Sequence, residues 1–285
     1  MKKRVIFIIG LVLLFLTGLA VMLYPVFSDY MNSLSRSQAI VSYNEELRKL
    51  SEADYTEIIE SAREYNKRLA NKQNRFIFNE EDRKEYYSIL DFTGRGIIGT
   101  IEIPAIKVNL PIYLGTDENI LQVGIGHFEG SSLPVGGPGT HSVISGHRGL
   151  PSSTLLTNAD LLEIGDVFVL KILNETLYYK IDQSRRVLPE NFDYLGIEPD
   201  KDYCTLLTCT PYGINSHRLL LRGCRIFPDG EDDQSAAGNY ALRSEASRLN
   251  PVAACAIVAT PLLLISITYM FIKYLKSNLK SKGRR

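Results

Sequence analysis

The chain has 285 residues, of which 45% are hydrophobic, and its 32 Lys and Arg balance its 32 Asp and Glu. That balance argues against a nucleic-acid surface, which needs a basic excess, and the hydrophobic share argues against wholesale disorder. Four Cys in a chain of this length exclude a disulfide-dense scaffold.

Charge is spread unevenly. The run from Val5 to Ser28 carries none. Roughly 20 apolar residues cross a hydrocarbon core as a helix, so residues 1–28 predict a basic cytoplasmic end followed by a transmembrane helix. The run is longer than the apolar region of a signal peptide and has no clear small-x-small cleavage site, which favours a retained anchor. A second uncharged run, Leu249 to Ile272, predicts another transmembrane helix at 249–272. Pro251 suits its first turn and Pro261 predicts a kink. Lys2, Lys3 and Arg4 precede the first run. A basic tail at 273–285, holding Lys273, Lys276, Lys280, Lys282, Arg284 and Arg285, follows the second. By the positive-inside rule both termini are cytoplasmic and the middle of the chain is extracellular. Neither run contains a His, Asp or Glu relay of the kind a transporter needs.

Residues 29–90 predict helices. Ser51, followed by Glu52 and Asp54, reads as an N-cap with acids in the first turn. Tyr55, Ile58, Ile59, Ala62, Tyr65 and Leu69 then recur at helical spacing. This face fits either packing on its own domain or a stalk above the membrane. From about Gly96 the texture changes to short runs rich in β-branched and aromatic residues, punctuated by Gly, Pro, Asn and Asp. Seven or eight such runs over 91–228 predict a mainly β barrel or sandwich. Asn174-Glu175 suggests a hairpin turn. Residues 229–248 are small and polar and predict a linker.

Nucleophilic chemistry needs a Cys, a group to manage its proton, and a donor for the oxyanion. Cys209 ends the run TLLTC before the turn signal TPYG, a rigid and partly exposed position. Cys204 falls on the opposite strand face by alternation. Cys224 lies within the last strand run, and Cys255 in the second apolar run. His147 sits in VISGHRGLP, where a strand enters a loop. Arg218 starts the last strand run, and a turn after Cys209 brings the two to the same sheet end if the strands are antiparallel. Arg222 shares the Arg218 face but lies roughly 13 Å further along. His217 faces away from the site by the same alternation.

These residues resemble a known family. LLTC followed by a strand-initial Arg is similar to the TLxTC signature of sortases, and HSVISGHRGLP resembles their His motif. The longer agreement is with class C, the pilus-assembling sortases. It runs over roughly Leu90 to Phe227 and rests on GIIGTIEIPAIKVNLPIYLGT, GHFEGSSLPVGGPGTHSVISGHRGLP and KDYCTLLTCTPYGINSHRLLLRG. The resemblance implies a closed eight-stranded β-barrel with N-terminal helices, flanked here by two transmembrane helices. It makes Cys209 the nucleophile, His147 the general acid/base and Arg218 the oxyanion or substrate-positioning group, with no cofactor and no metal. The implied reaction cleaves an LPxTG-like sorting signal between Thr and Gly. It then joins the acyl group to a Lys amine of another pilin subunit, or to a cell-wall precursor, at the plasma membrane of a Gram-positive cell. One feature departs from the family. The stretch NRFIFNEEDRKEYYSILDF, where a lid is expected, has no Asp-Pro pair; Phe78, ahead of Phe76, is the candidate aromatic, with Asp91-Phe92 a distant second, and no lid residue is assigned.

Other readings use the same residues. A hydrolytic cysteine peptidase shares the Cys–His chemistry and differs in whether water or an amine resolves the acyl-enzyme. A housekeeping sortase would attach many surface proteins to the wall. His127, His141, His147 and Cys209 are residue types that suit zinc, but their spacing shows no CxxC or HxxxH pair.

Overall fold

The computed structural model describes residues 2–228 and the isolated positions 261, 266, 269 and 273. The linker at 229–248 and most of the expected second span at 249–272 lie outside the described residues. The first helix, α1 (Lys2–Leu47), continues well past the uncharged run. Its stretch Ile9–Leu47, which contains an 18-residue window of mean hydropathy 2.3, is among the described residues the one helix long and apolar enough to cross a membrane. Its apolar side chains stand exposed, with Leu14 and Phe27 as examples. The chain divides into two units, Met1–Tyr30 with Arg248–Arg285 and Met31–Ser247, and among the described residues the second holds the end of α1, the helices after it and the strands.

Within that unit the end of α1 is tied to the β-region by side chains. The Tyr43 hydroxyl donates to the Ile98 carbonyl and accepts from the Leu173 amide, both at 3.1 Å. Helix α2 (Glu52–Ala70) begins at Ser51 with a reciprocal capping box: the Ser51 side chain accepts from the Asp54 amide, and Asp54 accepts from the Ser51 amide. Its face, with Ile59, Ala62, Tyr65 and Leu69 buried, is part of the main core, so the helix packs on its own domain and is no free stalk. Asn66 reinforces the contact by pairing with both the amide and the carbonyl of Leu133. Helix α3 (Glu80–Ile89) has a second capping box, Asn79 with Asp82, and buries Tyr86 completely.

Eight strands follow: β1 (Ile97–Ile103), β2 (Val108–Leu114), β3 (Ile125–His127), β4 (Thr140–Ser145), β5 (Val167–Ile172), β6 (Glu175–Val187), β7 (Asp202–Thr210) and β8 (His217–Ile226). A short helix, α4 (Glu118–Val123), precedes β3. The strands close into a barrel in the order β1-β2-β3-β4-β7-β8-β6-β5. Closure satisfies every strand edge, which an open sheet of this length would leave bare. The barrel expected from the β-rich runs is therefore observed. Alternation sorts the side chains. Cys204, Leu206, Leu219 and Leu221 belong to the main core, whereas Leu207 and Leu220 join a separate cluster on the opposite face with Val143, Val187 and Leu195.

The hairpin near Asn174 is present but sits one residue earlier than expected. β5 and β6 pair through Ile172 and Glu175, leaving Leu173 and Asn174 as the turn. Leu173 takes a left-handed φ of 51°, which a Leu seldom adopts. Its side chain is buried and its amide is bound by Tyr43, so tertiary contacts hold a conformation that local sequence does not announce.

Candidate active site

Strands β7 and β8 are antiparallel, and Cys209 is directly opposite Arg218. Both are partly buried and share the strand face of Leu207 and Leu220. Strand β4 lies on the other side of β7, parallel to it, with Ser145 beside Leu207. The pairing continues past the strand end: the Gly146 amide donates to the Leu207 carbonyl at 3.1 Å, and the Thr208 hydroxyl donates to the Gly146 carbonyl at 2.7 Å. His147 follows Ser145 by two residues, as Cys209 follows Leu207. Cys209 and Arg218 therefore face each other on paired strands, and His147 lies in the loop just past the end of β4, the strand on the other side of β7.

The two arginines differ sharply in their partners. Arg222 forms a fork on Asp182, with Nε at 3.1 Å and Nη2 at 2.8 Å, and lies 4.1 Å from the centre of the Tyr203 ring. Its guanidinium is committed to a structural pair opposite Thr205. Arg218 donates only from Nη1, to the Asn215 and His217 carbonyls at 3.2 and 3.3 Å. These are loop contacts that a stronger oxyanion acceptor can replace.

The histidines differ in the same way. His127 is fully buried. Its Nε2 donates to the Ser132 carbonyl and its Nδ1 accepts from the Tyr86 hydroxyl, both at 2.8 Å. His141 donates from Nδ1 to the Gly196 carbonyl and accepts at Nε2 from the Thr205 hydroxyl, both at 2.7 Å. Burial pushes both imidazoles down to a pKa of about 4, which keeps them neutral. With all four ring nitrogens spent on protein groups, neither can join a zinc site with Cys209. His147 is different. Its Nε2 is buried and makes no hydrogen bond; a Glu118 carboxylate oxygen from α4 lies 3.4 Å away, an ion-pair distance. An imidazole held only by an exposed carboxylate remains able to take and return a proton, which is what a proton carrier requires.

Cys204 is enclosed in the barrel core, where burial raises its thiol pKa well above the ordinary value. It is a packing residue. Cys224, partly buried on β8, is likewise shifted upward, mainly by burial.

The outer face next to Cys209 is covered. Phe76 packs on the cluster of Leu207, Leu220 and Val187, with its ring 5.8 Å from that of Phe128 and 5.0 Å from that of Phe192. Phe78, the aromatic favoured from the sequence, packs instead edge-on against Tyr86 and belongs to the main core. Of the aromatics weighed from the sequence, Phe76 is the one seated on this face. The segment is held by the Arg75 guanidinium on the Leu195 carbonyl and by a close approach to Gly130. Gly130 has φ +84°, and a Cβ there would lie 2.5 Å from the Arg75 carbonyl oxygen. Sequence reasoning also passed over Arg148 and Glu118, which flank His147 in space. The buried Arg directly after the His was the available signal for the first.

A barrel rim carrying a Cys, a His held only by a Glu118 carboxylate and an Arg held only by backbone carbonyls has the parts of a cysteine acyl-transfer enzyme. The model of the sortase domain matches residues 101–226. Sortase C1 from Streptococcus agalactiae is 48% identical, with a TM-score of 0.66, over 67% of this chain and 100% of that one. A lid mutant of sortase A from Corynebacterium diphtheriae is 41% identical, with a TM-score of 0.60, over 65% and 100%. Sortase D of Bacillus subtilis (strain 168) is 30% identical over 131 residues, which are 45% of this chain and 63% of that protein. The chain belongs to the sortases, a family of cysteine transpeptidases.

Proposed function

We propose that the protein is a membrane-anchored sortase of the pilus-assembling type. Cys209 attacks the Thr carbonyl of an LPxTG-like signal, and the thiol proton passes to His147. Arg218 turns from its loop carbonyls to the oxyanion. His147 then protonates the departing Gly amine as the Thr–Gly bond breaks, leaving a Cys209 thioester. A Lys amine of a second pilin, or the amine of a cell-wall precursor, attacks the thioester carbonyl, gives up a proton and releases the thiol. The observation that carries this reading is the direct pairing of Cys209 with Arg218 at the strand end next to the β4 end from which His147 follows.

The exposed apolar surface of α1 supports a membrane anchor, and the charges flanking the two uncharged runs support two spans, cytoplasmic termini and an extracellular barrel at 91–228. The seat of Phe76 on the outer face supports a lid formed by residues 71–79, within the helical region 29–90.

The test incubates the purified protein with a sorting-signal peptide and an amine acceptor. Mass spectrometry is expected to find a Cys209 thioester and a ligated product, and neither in Cys209→Ala. Ligation at the wild-type rate by Cys209→Ala contradicts the assignment. Hydrolysis that an added amine does not divert contradicts transpeptidation.

A further inference from the structure

We infer that Arg148 is a positioning residue that locks the strand end bearing Cys209 to the loop bearing His147; its catalytic meaning rests on the function proposed above. Arg148 follows His147 directly and is 6% exposed. A guanidinium stays charged and is seldom this deep without partners. Its Nη2 is 2.6 Å from Asp160, its Nε donates to the Thr157 carbonyl at 3.1 Å, and its Nη1 reaches the Thr210 hydroxyl at 3.4 Å. The guanidinium carbon also lies 5.8 Å from the centre of the Tyr212 ring. One side chain therefore touches both ends of its own loop and two residues just beyond Cys209.

The geometry is symmetrical about the reacting pair. Before it, the Thr208 hydroxyl binds the Gly146 carbonyl. After it, Arg148 binds Thr210. Residues 146 and 148 bracket His147, and residues 208 and 210 bracket Cys209. The next loop residue preserves the fit: Gly149 has φ +81°, and a Cβ there would sit 3.0 Å from the Tyr212 ring. Neither bracket forms a bond to the nucleophile or the imidazole, so both act only by fixing where those groups stand. A misplacement of about 1 Å in such a pair costs on the order of 100-fold in rate.

A purely structural Arg148 predicts something else. Removing it would take the ion pair from the Asp160 carboxylate and destabilise the fold, with activity falling only as folded protein is lost. The experiment therefore compares Arg148→Met, Arg148→Lys and the double variant Arg148→Met/Asp160→Asn, which removes both charges of the pair, in the full chain in detergent. Unfolding midpoint, kcat and KM for a sorting-signal peptide are measured, with amide hydrogen exchange over residues 146–158 and 207–216. The double variant is expected to recover stability but not rate, with kcat down by about 30-fold or more and KM within about 3-fold. Exchange should rise in both segments together. Arg148→Lys, which keeps a charge for Asp160 but loses the fork, should follow the same pattern. A double variant that turns over within about 3-fold of the parent, or one in which the two segments exchange as before, overturns the proposal. If the parent chain itself forms no Cys209 thioester, the enzymatic reading fails, while the exchange measurement still decides the lock.

Discussion

His127 and His141 have both ring nitrogens hydrogen-bonded by protein groups in the interior, whereas the Nε2 of His147 has only the exposed Glu118 carboxylate at 3.4 Å; that difference in commitment, not their residue type, separates a candidate proton carrier from two packing residues. The arginines obey the same rule. Arg222 is forked on Asp182, so Arg222→Met should cost about 1–2 kcal/mol of stability and leave kcat per folded molecule within about 3-fold. Arg218→Lys should do the reverse: an intact fold, and acylation of Cys209 slower by about 100-fold, because an ammonium cannot reproduce the planar fork. Single-turnover labelling with a sorting-signal peptide, alongside urea unfolding, separates the two outcomes. Near-normal acylation in Arg218→Lys would remove its oxyanion role.

At the scale of elements, the rim follows from β4 and β8 flanking β7. The antiparallel half was legible in the sequence, because a Cys at a strand end, a turn signal and an Arg opening the next strand run leave little freedom. The parallel half was not, because β4 and β7 are separated by more than fifty residues and no local pattern pairs them; His147 was reached through its motif. The cover over the outer face was left unassigned because nothing in the local sequence separates Phe76 from Phe78. What decides between them is the contact of Phe76 with Phe128 and Phe192, and the room that Gly130 leaves for the backbone. Arg148 left no periodic mark at all, since its partners Thr157, Asp160 and Thr210 lie on other segments. If the Phe76 segment covers the substrate groove, Phe76→Ala and Gly130→Ala should each raise peptide acylation by about 3–10-fold, the first by removing the plug and the second by displacing the segment. Unchanged or slower acylation in both would mean that the segment braces the site instead of closing it.

The whole molecule combines a long exposed apolar helix with a closed barrel, and the barrel has a pH signature of its own. Both buried histidines have folded pKa values near 4 against about 6.5 in an unfolded chain, so the unfolded state binds more protons in that window and stability falls as pH drops through it. The loss between pH 7 and pH 5 should be about 2 kcal/mol for each histidine. Asp202, raised by burial, opposes the trend only at lower pH. Urea unfolding of the protein at the two pH values tests this, and equal free energies would contradict it. The central claim concerns the rim: one thiol, one imidazole and one guanidinium acting on the same carbonyl. It is tested most directly by a crystal structure of the protein trapped with a sorting-signal peptide bearing a thiol-reactive group in place of the scissile bond. The expected structure has the peptide bonded to Sγ of Cys209, the Arg218 guanidinium moved from the Asn215 carbonyl onto the trapped oxygen, and His147 within hydrogen-bond reach of the leaving-group position. A peptide attached elsewhere, or an Arg218 still bound to its loop with that oxygen unattended, would contradict the account.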